Sequence, residues 1–151
     1  MTAQPRTLEL PTEFREAMQQ LSAAAKRGLG DPVLAELVMI RASQLNRCAF
    51  CLDMHLTVAR KAGESEARLD LLSAWEESTG TYTDRERAAL ALTEAVTVLT
   101  EGFVPDEVYA DAAAHFDEHG LAHLIALITT INSWNRLMVA RRIQPGGPAW
   151  T

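Results

Sequence analysis

Apolar positions recur with a period near 3.6 along almost the whole chain, and no stretch of four to eight residues alternates as a half-buried strand does. The pattern predicts an all-α protein. A first helix opens at Pro11 and runs to about Lys26, with Phe14, Met18 and Leu21 as its stripe and Gly28 and Gly30 ending it. Asp31 followed by Pro32 reads as an N-cap oxygen and a first-turn proline, opening a second helix to about Leu45. That helix is apolar on much of its circumference. Asn46 is the expected cap of a third helix that Gly63 closes. A fourth fits Glu64 to Glu76, with Leu69, Leu72 and Trp75 inward. Thr83 and Glu86 form a capping box before a helix that turns Ala88, Leu92, Val96 and Leu99 inside. Pro105 begins a helix to about Phe116. A last long one, from about Leu121 to Arg141, carries Leu121, Leu124, Ile125, Ile128 and Ile131, with Leu127 off that face, so it is either central or at a subunit contact.

Six or seven helices with short connections imply a compact antiparallel bundle. The expected organisation is one domain over residues 1–151, with its core at about 10–142 and short flexible termini, the "PGGP" near the end marking a loose tail. There is no internal repeat or linker. Composition changes this picture little: 151 residues with 48% hydrophobic and 23% charged positions are ordinary for a globular chain. A net charge of −6 disfavours a phosphate backbone, so no nucleic-acid partner is expected. The longest apolar run, Leu124 to Ile131, is far short of the roughly 20 residues that span a bilayer. No basic-then-apolar leader opens the chain. A cytoplasmic protein is expected, where thiols are kept reduced.

That compartment gives weight to "RCAFCLDMH", residues 47–55, which holds both cysteines of the chain. On a helix, Cys48 and Cys51 lie one turn apart on one face, within reach of a disulfide, and His55 follows one turn on. Both cysteines fall in the first turns, where unpaired N–H groups and the helix dipole favour a thiolate. The effect matters because a thiol of pKa about 8.5 is only a few per cent ionised at neutral pH. His55 is suited to accept or return a proton. Glu36 is the candidate to orient it: a turn near Asn46 would fold the second helix back, and a carboxylate on so apolar a helix calls for a partner. Redox chemistry, metal binding and two inert core thiols all remain open for such a pair. Structural zinc needs four ligands, and the chain has no second cysteine pair.

The pattern Glu-x11-Cys-x-x-Cys-x3-His, formed by Glu36, Cys48, Cys51 and His55, resembles the alkylhydroperoxidase D core of the carboxymuconolactone decarboxylase superfamily. "IRASQLNRCAFCLDMHLTVARKAGE" is similar to the motif helices of that family, and Trp75, "TDRERAALALTEAV", "VPDEVY" and "INSWNRL" are similar to later segments of its single-domain members. The resemblance implies an all-helical homo-oligomer (dimer, trimer or hexamer). It implies a thiol-dependent peroxidase or disulfide oxidoreductase in which Cys51 attacks a hydroperoxide, Cys48 resolves the sulfenic acid, an external dithiol or thiol protein restores the pair, and Glu36 and His55 relay protons. Phe50 stands where the founding enzyme has a further relay histidine. The decarboxylases of the superfamily lack the cysteine pair. Two other readings are a redox-sensing adaptor without turnover, and an enzyme acting on a lactone or carbonyl compound through Glu36 and His55.

The remaining polar residues are read as structural. His115, His119 and His123 are spaced by four, but the "DEHG" break argues against a shared face and a metal site. Glu94 is expected to be solvated, although Arg41 is a possible partner. Asn132, Asn135 and Arg136 are expected to pin helix ends or a subunit contact. No glycine-rich phosphate loop is present, so no nucleotide or flavin cofactor is expected.

Overall fold

The computed structural model describes residues 4 and 6–146, which contain seven α-helices, one short 3₁₀ turn and no strand. The helices are α1 (Thr12–Leu29), α2 (Pro32–Leu45), α3 (Ala49–Lys61), α4 (Glu66–Leu71), α5 (Asp84–Thr97), α6 (Asp106–His115) and α7 (Glu118–Arg141), with the 3₁₀ turn Leu72–Ala74 after α4. Most of the tail expected at "PGGP" lies outside the described residues. No described helix is long and apolar enough to cross a membrane.

The near-continuous apolarity of α2 has a simple cause: neighbours surround it. It packs against α1, α3, α5 and α7, and Leu34 through Ile40 are all buried. One side of α2 (Leu34, Val38, Met39) joins Leu92, Leu124 and Ile128 in the larger core cluster. Its other side (Leu37, Ile40) meets Leu69, Leu72, Trp75 and Leu90 in a smaller one. The long α7 is central as well. Leu121, Leu124, Leu127, Ile128 and Ile131 are all buried, so Leu127 is not left off the inner face.

Start signals behave as their chemistry dictates. Asp31 accepts from the Leu34 amide at 3.0 Å with Pro32 in the first turn. The Thr83–Glu86 capping box forms in both directions. Elsewhere packing moves the boundaries. Gly28 does not end α1; it lies inside the helix, where an added Cβ would come within 1.9 Å of the His123 ring on α7. Gly30, at φ +69°, is the residue that stops α1. On α1 the inward side carries Ala25 and Leu29, buried, with Met18 of the expected stripe packed against the same core cluster, while Phe14 and Leu21 at its edge are 43% and 49% exposed. The helix expected from Glu64 to Glu76 is shorter and tightens into the 3₁₀ turn, although Leu69, Leu72 and Trp75 are indeed inward. Leu99 lies past the end of α5 and is exposed. Asp117 caps α7, which therefore starts before Leu121.

The turn between α2 and α3 sets up the cysteines. Arg47 donates its amide to the Gln44 carbonyl and Cys48 donates to the Ser43 carbonyl, with Arg47 left-handed at φ +53°. This is a Schellman closure of α2. A side chain at such a φ costs about 1–2 kcal/mol relative to glycine, and the closure stops one helix and launches the next within three residues. Asn46 is not the cap of α3. Its amide group is committed to α7, donating to Asn132 Oδ1 and Asn135 Oδ1 at 2.9 Å each. Cys48 takes the cap position instead, its Sγ accepting from the Cys51 amide at 3.3 Å.

Candidate active site

Cys48, Cys51 and His55 lie at the cap, the first turn and the second turn of α3. The sulfurs of Cys48 and Cys51 are joined in a disulfide, with Cα atoms 5.4 Å apart. Both residues are buried, at 1% exposure each. Cys51, not Cys48, is among the residues lining a pocket of about 230 Å³ between α1, α2, α3 and α7. Its walls are mostly apolar: Met39, Phe50, Met54, Leu127, Ile131 and Trp134. Phe50 is one of these walls and carries no proton, so proton transfer falls to other residues. Trp134 is fixed by its indole N–H, which donates to Ser22 Oγ at 2.8 Å.

The fold-back of α2 on α3 brings Glu36 to His55, as the sequence suggested. Glu36 is 2% exposed, and its Oε2 lies 2.8 Å from His55 Nδ1. Its other oxygen, Oε1, accepts from Lys26 Nζ at 2.7 Å. Burial pushes the Glu36 carboxyl up, but the hydrogen bonds and charges of His55 and then Lys26 outweigh it and hold the carboxyl below its ordinary value. A carboxylate that takes Nδ1–H leaves Nε2 as the basic nitrogen of the ring. The Cys51 sulfur, an imidazole and an anchored carboxylate thus line one apolar cavity, a set that, with the disulfide reduced, has the chemistry to ionise a thiol and return a proton to a leaving group.

The sequence marks Lys26 only as the end of the first helix, because a lysine near a helix C-terminus reads as a solvated charge until Glu36 of α2 is laid beside it. The expectation of a solvated Glu94 is also corrected. Its Oε1 accepts from Arg41 Nε at 2.7 Å and from the Trp75 indole N–H at 2.6 Å. Asn132 and Asn135 hold the α2–α3 turn, and Arg136 donates to the Asn132 carbonyl and side chain. His119 and His123 do share a face of α7, with ring centroids 4.2 Å apart, because "DEHG" is the cap and first turn of that helix and not a break between them. His115 stands on α6, its Nε2 3.8 Å from Asp111. Among the described residues no three His, Cys, Asp or Glu side chains form a group that could hold a metal ion.

Residues 12–95 match the carboxymuconolactone decarboxylase family. The chain is 41% identical over 132 residues to the uncharacterized protein YdfG of Bacillus subtilis, spanning 87% of this chain and 89% of that one. It is 37% identical over 123 residues to the uncharacterized protein YnjA of Escherichia coli, spanning 81% of this chain and 66% of that one. A crystal structure of an Agrobacterium tumefaciens protein of unknown function, described as a candidate antioxidant defence protein AhpD, matches with a TM-score of 0.85 at 35% identity, over 92% of this chain and 94% of that one. The family match over more than half the chain, together with the AhpD-like neighbour in fold, places the protein: it belongs to the carboxymuconolactone decarboxylase family, as an AhpD-like member.

Proposed function

We propose that the protein is a thiol-dependent peroxidase, with Cys51 as the attacking residue and Cys48 as the resolving one. The observation that carries this reading is that Cys51 lines the apolar pocket, one helical turn from His55, while being bonded to Cys48. In the reduced protein, His55 takes the Cys51 proton through Nε2, and the start of α3 favours the thiolate. The thiolate sulfur attacks the terminal oxygen of a hydroperoxide and the O–O bond breaks. The departing alkoxide takes the proton from His55 and leaves as an alcohol, and Cys51 becomes a sulfenic acid. The Cys48 thiol displaces hydroxide from that sulfur, water is released and the disulfide forms. An external dithiol then reduces the disulfide to two thiols and is itself oxidised. The homo-oligomer that the family resemblance implies is part of the same proposal.

The test is peroxide consumption with cumene hydroperoxide and excess dithiol. Wild type is expected to turn over, and Cys51→Ser to lose turnover. Cys48→Ser is expected to form a sulfenic acid that dimedone traps, at one equivalent. Peroxide loss unchanged by both substitutions overturns the proposal. Stoichiometric oxidation of wild type without turnover shifts the reading to a redox sensor.

A further inference from the structure

Glu36 has two occupied oxygens, and only one of them is held by a residue of the cysteine motif. The other is held by Lys26 from α1, a helix outside that motif. The two ends of this pair differ sharply in exposure: the Lys26 side chain is 38% exposed and that of Glu36 2%. Both line the pocket, with His55 and Cys51. We propose that Lys26 is a positioning residue for the cysteine chemistry: by occupying Oε1 it keeps Glu36 an anion and leaves only Oε2 to take Nδ1–H of His55, so that Nε2 remains the base for Cys51. The inference rests on the peroxidase reading for its consequence, but not for its geometry.

A carboxylate withdrawn from water tends to protonate unless cations and donors compensate. A protonated Glu36 becomes a donor to Nδ1. His55 then carries its proton on Nε2, the wrong nitrogen for accepting one from a thiol. The groups facing Glu36 are few. From α1 comes Lys26, and from α3 come His55 and Cys51. The pocket residues of α7 (Leu127, Thr130, Ile131, Trp134, Met138) carry no ionisable group. Of the charged groups on α5, Glu94 is turned to Arg41 and Arg85 to Asp31. Lys26 is therefore the cation that decides the charge of Glu36 when His55 is neutral.

The experiment reads Cys51 without peroxide. Reduced wild type, Lys26→Gln, Lys26→Met and Lys26→Arg are alkylated with iodoacetamide across pH 5–9, and the Cys51 peptide is followed by mass spectrometry. Nitrogen-15 shifts of His55 are recorded alongside. Lys26→Gln and Lys26→Met are expected to move the acid limb up by about one pH unit, a roughly tenfold slower reaction on that limb, and to raise the Nε2–H tautomer. Lys26→Arg is expected to restore both, because it returns the charge. A wild-type limb and tautomer in Lys26→Gln and Lys26→Met overturns the proposal. So does a shift in Lys26→Arg equal to that in Lys26→Gln, which marks a purely packing role. A protein without peroxide turnover whose limb still moves overturns the peroxidase reading and supports this inference; a working peroxidase whose limb stays fixed does the reverse.

Discussion

Glu36 and Glu94 each lie between a cation and a ring nitrogen, yet they serve different ends. Glu36 has Lys26 on one oxygen and His55 on the other. Glu94 takes both Arg41 and the Trp75 indole on a single oxygen. The first set joins α1, α2 and α3 around a cavity that holds a cysteine. The second ties α2 and the segment after the 3₁₀ turn to α5, and Arg87 lies over the Trp75 ring at 5.1 Å. An indole N–H does not give up its proton near neutral pH, and a guanidinium does not either. An imidazole exchanges its proton there readily. On the proposed function, similar arrangements of charge therefore build a clasp in one place and a proton path in the other. What separates them is the titratable ring and the sulfur within its reach, not the buried carboxylate.

The sharpest way to break this comparison is to remove each ring nitrogen. His55→Asn is expected to lower peroxide turnover roughly 10²- to 10⁴-fold, the usual contribution of a general acid–base residue. Trp75→Phe is expected to leave turnover within about twofold while costing about 1–3 kcal/mol of stability through the lost indole hydrogen bond to the Glu94 carboxylate, which keeps Arg41. Equal losses of activity in steady-state assays of the two variants would erase the distinction. Next come the carboxylates. Glu36→Gln is expected to reduce turnover on the order of 10²-fold, since an orienting carboxylate acts through the ring it holds. Glu94→Gln should spare turnover and cost about 1–3 kcal/mol of stability, seen as a lower denaturation midpoint.

Acid sharpens the contrast further. The folded-state pKa of Glu36 lies below its ordinary value of 4.5. The stability it contributes is therefore fully present above about pH 4.5 and is lost as pH falls through the lower folded value. Melting of the disulfide-intact wild type and Glu36→Gln from pH 7 to pH 3 should show the advantage of wild type shrinking below that point; a constant difference contradicts it. The smallest effect is expected at the capping box that starts the helix of Glu94. Thr83→Ala should cost about 1 kcal/mol by denaturant titration with turnover unchanged.

Much of this was legible in local chemistry. The helical spacing of Cys48, Cys51 and His55, the Asp31–Pro32 start and the Thr83–Glu86 box are properties of a few neighbouring residues, and each is formed. What escaped the sequence reading was decided by distant partners. Asn46 has good cap chemistry, but Asn132 and Asn135 claim its side chain from 86 and 89 residues away. Glu94 reads as solvated until α2 and Trp75 are laid beside it. Lys26 reads as a solvated charge at the end of α1 until Glu36 of α2 is laid beside it.

The sulfur of Cys48 is also the acceptor that finishes the start of α3. In the proposed cycle a reducing thiol engages the disulfide, so the same sulfur that exchanges its bond is the one that caps α3. Deuterium uptake at the Cys51 amide is expected to differ between the reduced and the oxidised protein, and equal uptake in both would separate the cap from the redox state.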